Sequence, residues 1–110
     1  MFAIPGSARI FLYQNRVDMR KGFEGLFALA EEISHQDIFS GTLFVFINRT
    51  GNRMKVLYWD NDGLSVWYKR LEKGTFSAKD YDKTELSRRE FLMLLEGIKP
   101  KKLNRRWSIS

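Results

Sequence analysis

The 110-residue sequence predicts an α+β domain: a mostly antiparallel β-meander sheet with two helices packed on one face, and a basic C-terminal tail. Three patterns predict it. Residues 42–48, 53–60 and 64–71 are runs of aromatic, aliphatic and β-branched residues, parted by turn signals at Arg49-Thr-Gly-Asn52 and Asn61-Asp-Gly63. Such runs pair as an antiparallel meander. Met19, Phe23, Leu26, Phe27, Ala30 and Ile33 recur at spacings of three and four, which draws one apolar stripe along a helix ending near Ser34. Ser87 and Glu90 make a capping box ahead of Phe91, Leu92, Leu94, Leu95 and Ile98, the apolar positions of a second helix.

In chain order, a Pro5-Gly6 turn leads into a first strand at residues 8–13. Asp18 is the expected N-cap of the first helix. Gly22 and Gly25 weaken that helix by about 1 kcal/mol each relative to alanine, and leave one side bare for close packing. Residues 35–41 form a loop before the meander, and a short piece at 75–78 is a candidate extra edge. Gly97 and Pro100 end the second helix. Residues 1–98 then form a single domain and residues 99–110 the tail.

The central hairpin defines the candidate surface. With Gly63 as the left-handed residue of a three-residue loop, Asp60 pairs with Leu64, Tyr58 with Val66 and Val56 with Tyr68. Met54, Val56, Tyr58, Leu64, Val66 and Tyr68 then share a core face. Arg53, Lys55, Trp59, Trp67 and Lys69 share the other. Two indoles among three cations make a stacking platform with phosphate anchors. The competing reading packs both tryptophans under the helices, with the Lys and Arg stems at the edge. Arg20 and Lys21 beside Asp18 present a second candidate, a phosphate site at a helix N-terminus, against the alternative of a capped helix with a solvated first turn.

Six segments carry a resemblance: Asp18-Met-Arg-Lys-Gly22, Phe39-Ser-Gly41, Leu43-Phe-Val-Phe46, Lys55-Val-Leu-Tyr-Trp-Asp60, Asp62-Gly63 and Trp67-Tyr-Lys-Arg-Leu71. In this order and spacing, over about residues 4–98, the chain resembles the small accessory protein encoded by the second open reading frame of the insertion-sequence-sixty-six transposon family. The resemblance implies a bacterial mobile-element protein that assists a separately encoded transposase, with no catalysis of its own. It implies no assigned site residues. Ile38 stands where that family commonly has proline.

Composition narrows the chemistry. Hydrophobic residues make up 44% and aromatics 15% of the chain, enough for a packed core. There is no cysteine, which removes disulfides, thiolate metal sites and thiol nucleophiles and fits a cytoplasmic protein. No signal peptide and no bilayer-spanning apolar run is visible, so no membrane partner is expected. The Asp60-Asn-Asp-Gly63 segment looks like a calcium loop but lacks the later acidic ligand, and Asp18, Asp60 and Asp62 already have turn or cap duties. His35 is the sole histidine, beside a helix end. No cofactor, metal or enzymatic activity is therefore expected.

The net charge is +6, from 19 basic and 13 acidic residues. Five of the cations lie in residues 99–110 without an acid, among them Lys101, Lys102, Arg105 and Arg106. This tail suits phosphate contact by counterion release, or else it serves solubility alone. Trp107 and Ile109 at its end point towards docking. The expected partners are DNA and the transposase or other proteins of the same element. The alternatives are an adaptor that touches no nucleic acid and a single-stranded nucleic-acid binding module.

Overall fold

A run of five apolar residues, Leu43-Phe-Val-Phe-Ile47, has no polar side to give to water, so a strand built from it must be covered on both faces. The computed structural model, which describes residues 4–78 and 81–97, places it accordingly. The elements are β1 (Ile10–Leu12), α1 (Phe23–Ser34), a 3-10 turn (His35–Asp37), β2 (Leu43–Ile47), β3 (Arg53–Asp60), β4 (Gly63–Arg70), β5 (Glu85–Leu86) and α2 (Arg88–Leu95). They form a five-stranded sheet in the order β4-β3-β2-β1-β5. All five residues of β2 are buried at its centre. β2, β3 and β4 are the expected meander, and the sheet is antiparallel throughout except where β1 runs parallel to β2. The α+β class therefore stands.

Alternation along the strands builds two cores. Ile10, Leu12, Leu43, Val45, Ile47, Met54 and Val56 point to one face and meet Phe91 and Leu94 of α2, with Phe76, Tyr81 and Leu86. Phe11, Phe44, Phe46 and Leu57 point to the other and meet Leu26 and Ala30 of α1. The helices thus cover opposite faces of the sheet rather than sharing one. The cause is the parallel β1/β2 pair, which requires a crossover, and α1 is that crossover.

Local details differ from the sequence reading for identifiable reasons. Asp18 does not cap α1: its Oδ1 accepts from the Arg20 N–H at 2.8 Å and its carbonyl from the Lys21 N–H, which forms a separate turn. The helix starts at Phe23 with Gly22 at the N-cap. Lys21 lies where a side chain on Gly25 would go, since a Cβ there would stand 3.2 Å from its stem. Residues 75–78 are not a strand, and the extra edge is β5. The Ser87–Glu90 capping box is present, and α2 closes on Gly97 at φ 75°, whose N–H donates to the Leu94 carbonyl.

The hairpin register differs by one residue. Its loop holds two residues, Asn61 and Asp62, and Asp60 pairs with Gly63. Asn61, at φ 59°, takes the left-handed position in place of Gly63, and the Asp62 N–H bonds back to the Asp60 carbonyl. Asparagine tolerates that conformation better than most residues. A one-residue slip turns every β4 side chain over. Val66 and Tyr68 therefore leave the face of Met54, Val56 and Tyr58, and Tyr68 is 48% exposed.

Candidate nucleic-acid interface

The parallel pairing of β1 and β2 brings the loops beyond their carboxyl ends together. The Val17 N–H donates to the Ile47 carbonyl at 2.9 Å, which ties residues 14–19 to the start of the β2–β3 loop. A cleft of about 440 Å³ opens there, lined by Arg16, Val17, Asp18, Met19, Asn48, Arg49, Thr50 and Arg53. Arg16 and Arg49 also line an adjoining hollow with Gly51, Thr75 and Ser77. In open sheets with parallel strands, the crevice beyond the carboxyl ends is the usual place for ligands.

The β2–β3 loop holds Arg49 out by internal bonding. The Gly51 N–H donates to the Asn48 carbonyl at 3.0 Å, with Gly51 at φ 78°. The Asn48 side-chain oxygen accepts from the Arg53 N–H at 2.9 Å, while its nitrogen donates to Thr50 Oγ1 and Asn52 Oδ1. Thr50 donates in turn to Asn52 Oδ1 at 2.7 Å. Arg16 and Arg49 are exposed, and neither has an ion-pair partner among the described residues. Arg53 donates to the Tyr68 hydroxyl at 3.2 Å. The one carboxylate among the described lining residues, Asp18, is held by the Arg20 guanidinium at 2.7–3.2 Å. Those bonds, with the Arg20 N–H, pull the Asp18 pKa down to about 2.

The residues predicted from sequence are dispersed by the register. Arg53, Lys55 and Trp59 stand on the α1 face, opposite Arg70, Tyr68 and Leu64 of β4. Trp67 and Lys69 stand on the α2 face, opposite Val56 and Met54, and Trp67 packs against the core there. The two indoles therefore form no common platform. Lys55 is engaged inside the fold: Nζ donates to the Met19 and Lys21 carbonyls at 2.8 and 2.9 Å and sits 4.8 Å from the Tyr68 ring centre. Arg20 is paired with Asp18, while Lys21 is exposed beside it. Lys101, Lys102, Arg105 and Arg106 lie outside the described residues. Arg16 and Arg49 escaped the sequence reading because nothing local marks them. Arg49 looked like a turn residue, and only the non-local β1/β2 pairing sets it beside Arg16.

The far end of the sheet is different in kind. Phe39 is 60% exposed and stands edge-on to Trp59 at 5.1 Å, with the Phe27 ring tilted against it at 5.9 Å. Asp60, the last residue of β3, and Asp62, in the β3–β4 turn, lie at that end. Asp18 is thus separated from them by the length of β3, roughly 20 Å at the strand rise. Among the described residues no group of three or more His, Asp or Glu side chains is arranged to hold a metal ion. No helix among them is long and apolar enough to cross a membrane.

The family model described as "IS66 Orf2 like protein" matches residues 8–105. A Sinorhizobium fredii protein named "Uncharacterized protein y4jC" is 34% identical over 93 residues, covering 82% of this chain and 79% of that protein. A second protein of the same organism, "Uncharacterized protein y4hO", is 31% identical over 94 residues, covering 84% of this chain and 82% of its own length. No solved structure matches the chain at a significant level.

Proposed function

The chain belongs to the IS66 Orf2-like family, and we propose that it assists transposition of its element by binding DNA, without performing catalysis itself. The family is that of an accessory protein rather than a catalytic enzyme, which supports the accessory role. The observation that carries DNA binding is the convergence of Arg16, Arg49 and Arg53 on one cleft. Guanidinium groups without carboxylate partners set up a positive potential that attracts phosphate, and their fork geometry matches its oxygens. The tail cations Lys101, Lys102, Arg105 and Arg106 add positive charge that a polyanion can take up.

Titration of a duplex across salt tests the reading. If Arg16 and Arg49 each engage one phosphate, the R16A/R49A variant loses about 1.8 from the logarithmic salt slope. Both side chains are exposed, so the variant keeps its fold. Unchanged slope and affinity in the folded variant would remove the cleft from the reading, and absence of duplex binding by the wild type would remove the reading itself.

One observation favours a second reading, an adaptor that holds the transposase or another protein of the element. Phe39, largely exposed and edge-on to Trp59, has the composition of an interface anchor. Retention of partners after nuclease treatment of a co-purified sample supports this role, whereas their loss favours a nucleic-acid bridge.

A further inference from the structure

We infer that the arginine cleft takes the sugar–phosphate backbone alone and reads no base. This inference rests on the DNA-binding reading above. The ways a protein reads bases are each met by a feature that closes them here. Polar side chains that recognise base edges must have donors to offer, and those in the lining are occupied within the fold. The Asn48 nitrogen donates to Thr50 and Asn52, its oxygen accepts from the Arg53 N–H, and Thr50 donates to Asn52. Both Asp18 oxygens are held by Arg20.

Arginine itself reads guanine, but it does so from an element that protrudes into the major groove, such as a helix or a two-stranded ribbon. Here the arginines line a recess. A recess receives a ridge, and the ridge of a nucleic acid is its phosphate backbone. An unpaired base turned outward would need a ring to stack on. Among the described residues the lining holds no aromatic ring; its apolar members are Val17 and Met19.

What remains fully open to a ligand is the Arg16 and Arg49 guanidinium groups, with Arg53 beside them already giving one N–H to the Tyr68 hydroxyl and the Asp18 charge neutralised by Arg20. The ligand class is therefore a phosphodiester chain of any sequence. Any choice of a DNA sequence then falls outside this cleft.

The experiment uses the full chain and its R49A variant with four probes. Two are duplexes of equal length and composition in scrambled order; the others are a single strand and an abasic strand with the same number of phosphates. The ratio of wild-type to R49A affinity isolates the cleft from the tail and from any other surface. The same ratio, above one, is expected on all four probes. A base contact in the cleft would instead raise the ratio on the base-bearing strand, or on one duplex, by about 5- to 150-fold. That result overturns the inference while DNA binding stands. A ratio of one on every probe that still binds removes the cleft as a nucleic-acid contact and overturns the inference, whereas no binding to any of them overturns the DNA-binding reading itself.

Discussion

Lys55 shows how a cation visible in the sequence is committed before any ligand arrives. Its ammonium satisfies two carbonyls of the turn that precedes α1, at Met19 and Lys21, and so fastens that turn to β3. Hydrogen bonds to a charged donor contribute about 1.5–3 kcal/mol each when well formed, and water replaces part of that at a half-exposed site. Lys55→Met is therefore expected to lower stability by about 1–3 kcal/mol in urea unfolding, and to leave the salt slope of duplex binding unchanged. A reduced slope at intact stability would return Lys55 to the binding surface. Asp18 is the companion case. Its pKa is depressed to about 2 by the Arg20 side chain and then by the Arg20 N–H, from an ordinary value of 3.8. A depressed carboxylate stabilises the fold above its unfolded pKa, and that contribution fades as pH falls from about 4 through 2. A carboxyl titration followed by NMR should find the Asp18 midpoint near 2 in the wild type, and nearer 3.8 in R20A. A wild-type midpoint near 3.8 would mean that the pair does not persist in solution. Residue identities gave the charges here, but only the fold shows which of them already have partners.

At the scale of elements, what was legible was what is local. The Ser87–Glu90 box lies within four residues, and its prediction matches the structure, as does the Gly97 stop. The apolar stripe of α1 was also legible, although Asp18 suggested too early a start because its side chain closes its own turn. The hairpin failed on a distinction that composition carries poorly: Asn61 and Gly63 both tolerate positive φ, and the choice between them sets the loop length. The placement of α1 and α2 on opposite faces depends on β1 pairing with β2 across thirty residues. Its one signal was the unbroken apolar run of β2, which reads as a strand covered on both sides. The β2–β3 loop and the α2 cap now make a controlled comparison. Ser87→Ala removes one cap bond and should cost about 1 kcal/mol. Asn48→Ala leaves the Arg53 N–H without its partner and should cost about 1–3 kcal/mol. Of the two, only Asn48→Ala should also weaken duplex binding, because it frees the loop that holds Arg49 in place. Equal binding by both variants would show that Arg49 needs no such support.

On the whole molecule, the sheet separates two surfaces of different chemistry. Arg16, Arg49 and Arg53 gather where β1 and β2 end and β3 begins. Phe39 and Trp59 stand near the other end of β3, roughly 20 Å away at the strand rise. Exposed cations confer salt-dependent affinity for polyanions, whereas an exposed ring packed against an indole confers affinity that salt barely alters. The proposed DNA contact and the proposed protein contact should therefore come apart in two variants. R16A/R49A should bind duplex more weakly and with a smaller salt slope, yet keep any element-encoded partner through nuclease treatment. Phe39→Ala should do the reverse, and with the ring 60% exposed its truncation leaves little cavity in the core. Thermal unfolding of both variants guards against a folding defect that would imitate either loss. If Phe39→Ala retains its partners after nuclease while R16A/R49A releases them, the partners were held through the arginine end. The aromatic surface would then have no part in assembly, and the molecule would act from one end only.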